Sequence, residues 1–390
     1  MHAPPLADHI DIAIVGGGPV GALLAARLAR TGHRALLLEA RTGVEADPRA
    51  LALSHASREA LESLGLWDDA ALQATAIEQV HVSQAGSLGR VRLCASELGL
   101  PALGYVVGYA ALAGTAQQRL QARGCAVALG CRVEAIRRLT RFAELRLTTP
   151  TGPHTLTCRL VVLADGGGLV EQLDDVARQV KPYAQHAVLA TLTPNTSHHG
   201  IAHERFADDG PLALLPRGRD FNLVWTQTPE AAEARLALSD QDFLAEIGAR
   251  LGGRVAGFSA VGPRASFALA LKTLDRVVAR RVALIGNAAQ TLHPVAGQGL
   301  NLGLRDAATL ADVLCAVGPA HLGEPETLAR YARLRRKDAG LVTAFTDSLI
   351  TLFDSPAPWL KHGRSLGLLA LDQIAPLRRG FAARMVYGAR

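Results

Sequence analysis

The sequence has few aromatic residues and little excess of charge of either sign. Phe, Trp and Tyr make up 4% of the 390 residues, and Lys plus Arg exceed Asp plus Glu by six, 41 against 35. Binding of nucleic acid needs aromatic platforms for the bases or a concentrated basic surface. The basic residues here are scattered, apart from a group near the C-terminus. We therefore expect no nucleic-acid partner.

Cysteine is scarce, and no two cysteines are spaced as C-x-x-C. The chain has five, an odd number: Cys94, Cys125, Cys131, Cys158 and Cys315. This pattern is typical of reduced thiols and not of disulfides or a zinc site. We expect free cysteines and no bound metal.

Long apolar runs are also missing. No run reaches the roughly 18 residues of a membrane-spanning helix, and residues 1–9 lack the basic start and apolar centre of a signal peptide. The chain is nonetheless 49% hydrophobic, which excludes disorder. These features predict a folded cytoplasmic protein, and its length fits one large domain or two interleaved domains.

The first forty residues carry the pattern of a dinucleotide-binding site. The branched apolar run Ile10–Val15 is followed by a turn with Gly16, Gly18 and Gly21, by helix-forming residues, and by a second apolar run that ends at Glu39. In such an arrangement the helix N-terminus binds a pyrophosphate and the final acid binds ribose hydroxyls. A purely structural glycine turn is the alternative.

A second glycine-rich segment lies about 270 residues later. The apolar run 282–285 predicts a strand, Gly286-Asn287 a turn, and Leu302–Leu314 a helix. The loop before that helix ends in Gly297, Gln298, Gly299, Leu300 and Asn301. A second helix start with free N–H groups suits the flavin ring of FAD, which carries negative charge when reduced. We therefore expect FAD, and we expect replacement of Gly299 or Asn301 to impair flavin chemistry more than folding.

A third candidate lies between these segments. Asp165 and Gly166 follow the apolar run 160–163, at the carboxyl end of a predicted strand, where sites of α/β proteins collect. A simple turn is the alternative.

Other segments predict a second layer. The short strand-like runs 187–192, 210–215 and 221–226 are separated by turn residues, 216–220 is typical of a hairpin loop, and 240–251 predicts an amphipathic helix. We predict an α/β fold with these boundaries: a discontinuous Rossmann-like FAD-binding domain of residues 1–76, 95–180 and 268–340, an antiparallel-sheet substrate domain of residues 77–94 and 181–267, and a C-terminal helical segment of residues 341–390.

Basic residues are concentrated near the C-terminus. The run of Arg333, Arg335, Arg336 and Lys337 is typical of a solvated helix face. Beyond residue 341, apolar residues such as Phe353 and Trp359 are mixed with Lys361, Arg364, Arg378, Arg379 and Arg384. This mixture favours contact with a membrane surface or a partner. A helix that covers the domain is the alternative.

Taken together, the motifs resemble the class A flavoprotein monooxygenases. The matching segments are Gly16–Gly21, Asp165-Gly166 and Gly286-Asn287. Within that family, residues 286–294 and 296–306 are similar to the ubiquinone-biosynthesis ring hydroxylases. Gln290, with residues 80–83, 204–206 and 210–213, is most similar to their 2-polyprenyl-6-methoxyphenol hydroxylase branch. The resemblance covers nearly the whole chain.

The resemblance implies a fold like that of para-hydroxybenzoate hydroxylase and a reaction in which NAD(P)H reduces FAD, O₂ forms a flavin C4a-hydroperoxide, and a polyprenylated phenol is hydroxylated. Gly16, Gly18, Gly21 and Glu39 would hold the ADP half of FAD. Arg49 would contact its diphosphate, and Asp165 would shape the FAD site and the transient nicotinamide site. Asn287 and residues 297–301 would lie at the flavin. His293 is the candidate catalytic residue, able to deprotonate or position the phenol; a buried structural histidine is the alternative.

The sequence departs from the family at three places. Asn287 stands where Asp is frequent, Leu169 where a Ser usually follows the Asp-Gly motif, and Gly108-Tyr109 where this subgroup has a Glu.

Two rival functions share this fold or site. A flavin-dependent halogenase usually carries a W-x-W-x-I-P segment, and it is disfavoured because Trp67, Trp225 and Trp359 are far apart in sequence. A flavin-binding scaffold subunit of a membrane-associated biosynthetic complex remains the second hypothesis. Under either hypothesis we expect a cytoplasmic protein, and the C-terminal segment leaves peripheral contact with the inner membrane open.

Overall fold

The chain folds around two large sheets, and the N-terminal apolar run forms the middle of the first. The structure, a computed structural model, describes residues 7–354 and 358–388. In those ranges the strands are β1 (His9–Val15), β2 (Ala35–Glu39), β3 (Ala50–Ser54), β4 (Thr75–Ile77), β5 (Gln79–Gln84), β6 (Arg90–Cys94), β7 (Gly104–Gly108), β8 (Val127–Leu129), β9 (Arg132–Arg138), β10 (Ala143–Thr149), β11 (Gly152–Leu163), β12 (Arg178–Pro194), β13 (Ile201–Ala207), β14 (Gly210–Arg217), β15 (Asp220–Gln227), β16 (Phe258–Val261), β17 (Ala265–Leu274), β18 (Val278–Ala279), β19 (Val282–Leu284) and β20 (Gln290–Thr291).

The helices connect and cover these sheets. Over the same ranges they are α1 (Pro19–Leu28), α2 (His55–Ser63), α3 (Asp69–Leu72), α4 (Tyr109–Ala122), α5 (Pro229–Leu236), α6 (Asp240–Leu251), α7 (Gln298–Cys315), α8 (Pro325–Asp354), α9 (Pro358–Gln373) and α10 (Ala375–Tyr387). Nowhere in the described ranges is a helix both long enough and apolar enough to cross a bilayer.

The first sheet has the order β18-β19-β11-β1-β2-β8, with β9 and β10 as an antiparallel arm on β11. Strand β1 runs parallel to β11 and β2, and β11 runs parallel to β19. Val15 pairs with Leu163 and Leu38, so these strands end level with one another. The segments that follow the strands therefore meet at one edge, where ligands bind in sheets of this kind.

Strand β1 is buried on both faces, which is why its sequence is continuously apolar. Ile12 and Ile14 pack into a core with α1, α4 and α7, whereas Ala13 and Val15 pack into a second core with β10 and β11. The glycine turn at the end of β1 is thus held from both sides.

The second sheet is mostly antiparallel and has the order β20-β17-β12-β15-β14-β13-β5-β6. Helices α5 and α6 cover one face, where Trp225 and Phe243 lie in a closed apolar core. Strands β3, β7 and β4 form a small third sheet. Helix α8 runs without a break through residue 341, the predicted start of the C-terminal segment, so that segment begins as an extension of a helix of the first domain.

Candidate active site

The turn after β1 is shaped by two glycines that nothing larger can replace. Gly16 has φ 112°, and a Cβ there would lie 2.4 Å from the carbonyl oxygen of Ala164. A Cβ at Gly21 would lie 2.1 Å from the carbonyl oxygen of Gly16. At Gly18, by contrast, the nearest atom to a Cβ is the Tyr109 hydroxyl, 3.3 Å away. Gly18 therefore keeps open the space in front of the turn.

Helix α1 begins at this turn without a capping side chain and without an acid in its first turn. Its first N–H groups and the positive end of its dipole are free to meet an anion, such as a pyrophosphate. The carboxylate of Glu39, at the end of β2, accepts hydrogen bonds from the backbone N–H of Gly17 (2.7 Å) and of Arg41 (3.0 Å). Glu39 thus holds the turn while it lines the same space.

Asp165 lies on the neighbouring strand end. Its carboxylate accepts hydrogen bonds from the backbone N–H of Gly167 (3.1 Å) and of Leu169 (2.9 Å). Because the second donor is a backbone group, the local hydrogen bonding does not depend on the Ser that the family usually has at position 169. The departure at Leu169 therefore leaves this loop intact.

These groups line one cleft of about 920 Å³ along the carboxyl edge of the first sheet. Ten of the thirteen predicted site residues lie on its wall: Gly16, Gly18, Glu39, Arg49, Asp165, Asn287, His293, Gly297, Gly299 and Leu300. Gly21 lies behind the turn, packed on Gly16, and Gln298 and Asn301 face a different cavity.

Arg49 is oriented by its neighbours. Its guanidinium donates to the Asp47 carboxylate (2.6 Å at the shortest contact), and this pairing lowers the pKa of Asp47. The guanidinium also lies over the ring of Tyr109, 4.6 Å from its centre. Tyr109, to which the sequence analysis assigned no role, is therefore part of the cleft wall and supports Arg49.

The start of α7 is the second uncapped helix end on the cleft. Ala296 and Gly297 have left-handed φ values of 61° and 58°, and the first turn of α7 contains neither a capping side chain nor an acid. A Cβ at Gly299 would meet nothing within 4 Å. The N–H groups here are open to a ligand, as the sequence predicts for a flavin ring.

Asn301 has a structural position that the sequence did not reveal. Its amide accepts a hydrogen bond from the Ser54 backbone N–H (2.8 Å) and donates to the carbonyl oxygens of Ala52 (3.0 Å) and Gly297 (2.8 Å). The side chain is 2% exposed. It joins β3 to the start of α7, so we expect replacement of Asn301 to reduce stability as well as to affect flavin chemistry.

A buried acid on α7 holds the Gly286 turn through a hydrogen bond. Asp306 of α7 accepts hydrogen bonds from the Gly286 N–H (3.2 Å), the Gln290 amide (3.1 Å) and the Arg335 guanidinium (2.8 Å). The charge run predicted a solvated helix face for all four of its residues. Arg333, Arg336 and Lys337 are exposed, as predicted, but Arg335 is not. Burial raises the pKa of Asp306, and these partners oppose that shift.

His293 is buried in the cleft wall. Its Nδ1 accepts a hydrogen bond from the Val295 N–H (3.1 Å), and its ring packs edge-on against Tyr183. Burial lowers its pKa to about 4, so the ring is neutral near pH 7. With Nδ1 engaged, the proton lies on Nε2, which is buried and has no hydrogen-bond partner among the described residues. The geometry thus favours the structural alternative, or a role in positioning the phenol, over that of a general base.

A second cavity, of about 530 Å³, adjoins the cleft. Its wall is mostly apolar and comes from strands β5, β6 and β13 and from helices α8, α9 and α10, with side chains such as Val82, Leu93, Phe206, Leu349 and Leu368. Ala52 and Gly297 line both spaces, so the cavity and the cleft meet beside the start of α7.

The C-terminal helices differ from the sequence expectation in how they use their basic residues. Lys361 pairs with Asp208 (3.1 Å) and Arg378 with Glu97 (2.8 Å). Arg364 is buried, donates to the carbonyl oxygen of Leu352, and lies over the Phe353 ring. Phe353 itself stacks on Phe206 and faces the cavity.

Arg379 and Arg384 are the two members of that basic set that are exposed. The helices thus cover the cavity, which was the alternative for this segment, and they present two basic residues outward.

The structure shows one group that the sequence analysis did not single out. Glu204, on β13, lines the apolar cavity and accepts a hydrogen bond from the Ala296 backbone N–H. The signal in the sequence that could have identified Glu204 was an acid in a strand whose alternate residues are apolar. No group of three or more potential metal ligands occurs in the part of the chain that the structure describes.

The cleft offers free helix N-termini at two places and an acid at the end of β2, and this donor set fits a flavin dinucleotide. A family model described as an FAD binding domain matches residues 9–346. The ubiquinone hydroxylase UbiL of Rhodospirillum rubrum is 36% identical over 386 residues, covering 96% of this chain and 89% of that protein. The 3-demethoxyubiquinol 3-hydroxylase of Escherichia coli is 31% identical, covering 95% and 96%.

The fold is also found among solved structures. The p-nitrophenol 4-monooxygenase PnpA from Pseudomonas putida superimposes with a TM-score of 0.79 at 20% identity, covering 98% of this chain and 100% of that one. Fold and site define a flavin-dependent oxidoreductase. The chain belongs to the FAD-binding-domain family of flavoprotein monooxygenases, and the resemblance to that class is confirmed. It is an FAD-dependent monooxygenase of a class that draws electrons from NAD(P)H.

Proposed function

We propose that the protein hydroxylates a polyprenylated phenol of ubiquinone biosynthesis, consuming NAD(P)H and O₂. Two relatives support the pathway, since one is named a ubiquinone hydroxylase and the other a 3-demethoxyubiquinol 3-hydroxylase. The assignment to the 2-polyprenyl-6-methoxyphenol hydroxylase branch stays a prediction.

One observation carries the proposal: a cleft whose wall is about half polar and a mostly apolar cavity meet at Ala52 and Gly297. A polyprenylated phenol has the same division, with a polar ring at one end and a hydrocarbon chain at the other. Burial of the chain stabilises the complex by about 25 cal/mol per Å² of apolar surface. The ring then lies at the junction, beside the start of α7.

The predicted site residues take the following roles in this proposal. Gly16, Gly18 and Glu39 hold the ADP half of FAD, with Gly21 permitting the turn. Arg49 and Asn287 lie along the cofactor, and Asp165 shapes the place where the nicotinamide visits. The N–H groups of Gly299 and Leu300 face the ring system, while Gln298 and Asn301 hold the loop.

Bound flavin supplies the two-electron chemistry and the activation of O₂ that hydroxylation requires. The protein positions the phenol and keeps water away from the junction. The mostly apolar lining of the cavity and the cover formed by α8, α9 and α10 serve the second task.

We also propose peripheral contact with the inner membrane, on its cytoplasmic side. Trp359 lines the cavity and is 71% exposed, so it stands at the cavity mouth. Leu366, on α9 like Trp359, is 66% exposed, and Leu377, on α10, is 54% exposed. Exposed apolar residues together with Arg379 and Arg384 suit a lipid surface from which a prenylated substrate enters.

The test is a comparison of two phenols with the purified, FAD-loaded protein. We expect NAD(P)H oxidation to be stimulated by a farnesylated phenol far more than by the same phenol without the chain, with a product one oxygen atom heavier. Failure of any phenol to stimulate oxidation would favour the scaffold hypothesis.

A matched pair of variants tests whether the prenyl chain of the substrate lies in the apolar cavity. Gly367 lines the cavity and Gly380 does not. A Cβ at either glycine would meet nothing within 4 Å. We expect Gly367→Leu to raise the KM for the farnesylated phenol by about tenfold, a loss of about 1.4 kcal/mol of binding, and Gly380→Leu to leave it unchanged. Equal KM values for the two variants would contradict this placement.

A further inference from the structure

Glu204 has an unusual position on its strand. Side chains alternate across β13, so Glu204 and Phe206 line the apolar cavity. His203 and Arg205 lie on the other face, where His203 packs against His81 and Arg205 donates to Ser83. Among the described residues that line the cavity, Glu204 is the only carboxylate.

The carboxylate is placed at the junction of the cavity and the cleft. It accepts a hydrogen bond from the N–H of Ala296, the residue directly before Gly297, which lines both spaces. Glu204 also borders a small pocket with Pro294 and Val295. It therefore lies against the loop that opens α7, where the proposed function places the phenol ring.

The surroundings bring the pKa of the Glu204 carboxyl close to neutral pH. Burial raises the pKa of Glu204 to about 7, and the Ala296 N–H partly offsets that shift. The residues beside it on β5 and β14 are Val82 and Ala213, both uncharged. Within the described part of the cavity wall, the other charged side chain is that of Arg364 on α9. His293, at the start of the same loop, stays neutral because burial lowers its pKa to about 4.

We propose that Glu204 is a catalytic residue that accepts the hydroxyl proton of the substrate phenol, an inference that rests on the proposed function. The phenolic O–H bond breaks, an O–H bond forms on a carboxylate oxygen, and the electron pair stays on the phenol oxygen. The ring becomes a phenolate, which is the more electron-rich form. The carboxyl returns its proton to solvent when product leaves.

Other nearby groups are less suited to this role. Nδ1 of His293 already accepts from the Val295 N–H. The Tyr183 hydroxyl donates to Asp347, and burial raises its pKa. A base that ionises close to the working pH transfers protons efficiently, and Glu204 meets that condition at the junction.

The test follows the ionisation of a bound ligand and not turnover alone. A farnesylated nitrophenol, whose phenolate absorbs visible light, is titrated into FAD-loaded wild type, Glu204→Gln and Glu204→Asp, with difference spectra from pH 5.5 to 9. Gln has the size of Glu and still accepts the Ala296 N–H, so the fold is preserved. The control is Glu233→Gln, the same change at an exposed acid of α5.

We expect Glu204→Gln to bind the nitrophenol with a Kd close to that of wild type, to lower the bound phenolate-to-phenol ratio at least tenfold, and to reduce kcat on the farnesylated phenol by about 10²-fold or more. The rise of kcat/KM through pH 7 should vanish. Glu204→Asp should recover part of both effects, and Glu233→Gln should match wild type.

Two results would overturn the assignment, and they are distinguishable. If Glu204→Gln keeps the wild-type phenolate ratio and pH profile and only its Tm falls, the carboxylate merely holds the Ala296 N–H. If wild type binds no farnesylated nitrophenol at any pH, the proposed function itself fails, and the role of Glu204 falls with it.

Discussion

At the scale of single residues, glycines that look alike in the sequence do different work. Gly16 and Gly21 are required because a Cβ would strike backbone oxygen at 2.4 and 2.1 Å. Gly18 has ordinary backbone angles, φ −66° and ψ 174°, and the atom nearest to a Cβ there is the hydroxyl at the end of the Tyr109 side chain, 3.3 Å away, which can shift. A side chain at Gly18 is therefore compatible with the fold and incompatible with a ligand close to the turn.

This difference predicts separable effects. We expect Gly18→Val to leave Tm of the apoprotein within a few degrees of wild type and to weaken FAD binding at least tenfold, about 1.4 kcal/mol. Gly21→Ala should instead destabilise the apoprotein, because overpacking costs about 1–3 kcal/mol. Flavin fluorescence titration and thermal melts measure the two effects, with Gly32→Ala, where a Cβ meets nothing, as the control. Unchanged FAD affinity in Gly18→Val would place the cofactor elsewhere.

Two buried histidines predict how stability depends on pH. Burial lowers the pKa of His203 and of His293 from 6.5 to about 4. Between these values the unfolded chain binds protons that the folded chain does not, so stability is complete above pH 6.5 and falls as the pH drops towards 4. Each histidine accounts for about 3 kcal/mol at most.

Denaturant midpoints at pH 7.5 and 5 check this dependence. His203→Gln should lose less stability than wild type between the two pH values, since it removes one of the two buried groups. His362→Gln, at an exposed position on α9, should behave as wild type. An identical pH dependence in His203→Gln would show that His203 titrates normally in the folded protein.

At the scale of elements, the start of α7 combines an open side with a fixed side. Gly299 faces the cleft, and a Cβ there would meet nothing within 4 Å. Asn301, two residues later, is buried and makes three hydrogen bonds to β3 and to the loop. The hydrogen bonds of Asn301 fix the start of α7 to β3, so the N–H groups on the opposite side need no partner within the protein and are free for a ligand.

Substitutions on the two sides should therefore diverge. Gly299→Ala should keep the Tm of wild type and slow flavin reduction by NAD(P)H or reoxidation by O₂, as stopped-flow absorbance would record. Asn301→Ala leaves a buried N–H and buried carbonyls without partners, which costs about 1–3 kcal/mol, so its Tm should fall. A Gly299→Ala protein with wild-type rates would remove this segment from the flavin.

At the scale of the whole molecule, the C-terminal helices decide what the apolar cavity can admit. Three of their five predicted basic residues serve internal contacts: Lys361 with Asp208, Arg378 with Glu97, and Arg364 with Leu352. Neutralising all five would damage the cover itself. Membrane contact is better tested at Arg379 and Arg384, which are exposed.

We expect Arg379→Gln with Arg384→Gln to reduce co-sedimentation with anionic vesicles and Trp359→Ser to reduce it further, while high salt weakens binding of wild type. The charge-matched control is Arg137→Gln with Arg146→Gln, exposed on β9 and β10. Equal sedimentation of both double variants would leave the C-terminal helices with the role of a cover alone.

The sequence by itself determined the first domain's site. The apolar run Ile10–Val15 is a strand, and the glycine turn, Glu39, Asp165 and the 286–301 segment lie at or just after strand ends. Parallel strands bring their carboxyl ends to one edge of the sheet, whatever the distance along the chain. Local pattern was sufficient here because the placement of these residues on the cleft depends on backbone conformation, which short sequence motifs encode.

Only the tertiary structure decided which polar side chains are used internally. Arg335, Arg364 and Asn301 look like surface or site residues in the sequence, but packing buries them against Asp306, Leu352 and Ser54. Glu204 became a candidate base in the same way, because strands, loop and helices far apart in sequence enclose its carboxylate. Burial and pKa depend on neighbours from many segments at once, and no single stretch of sequence contains them.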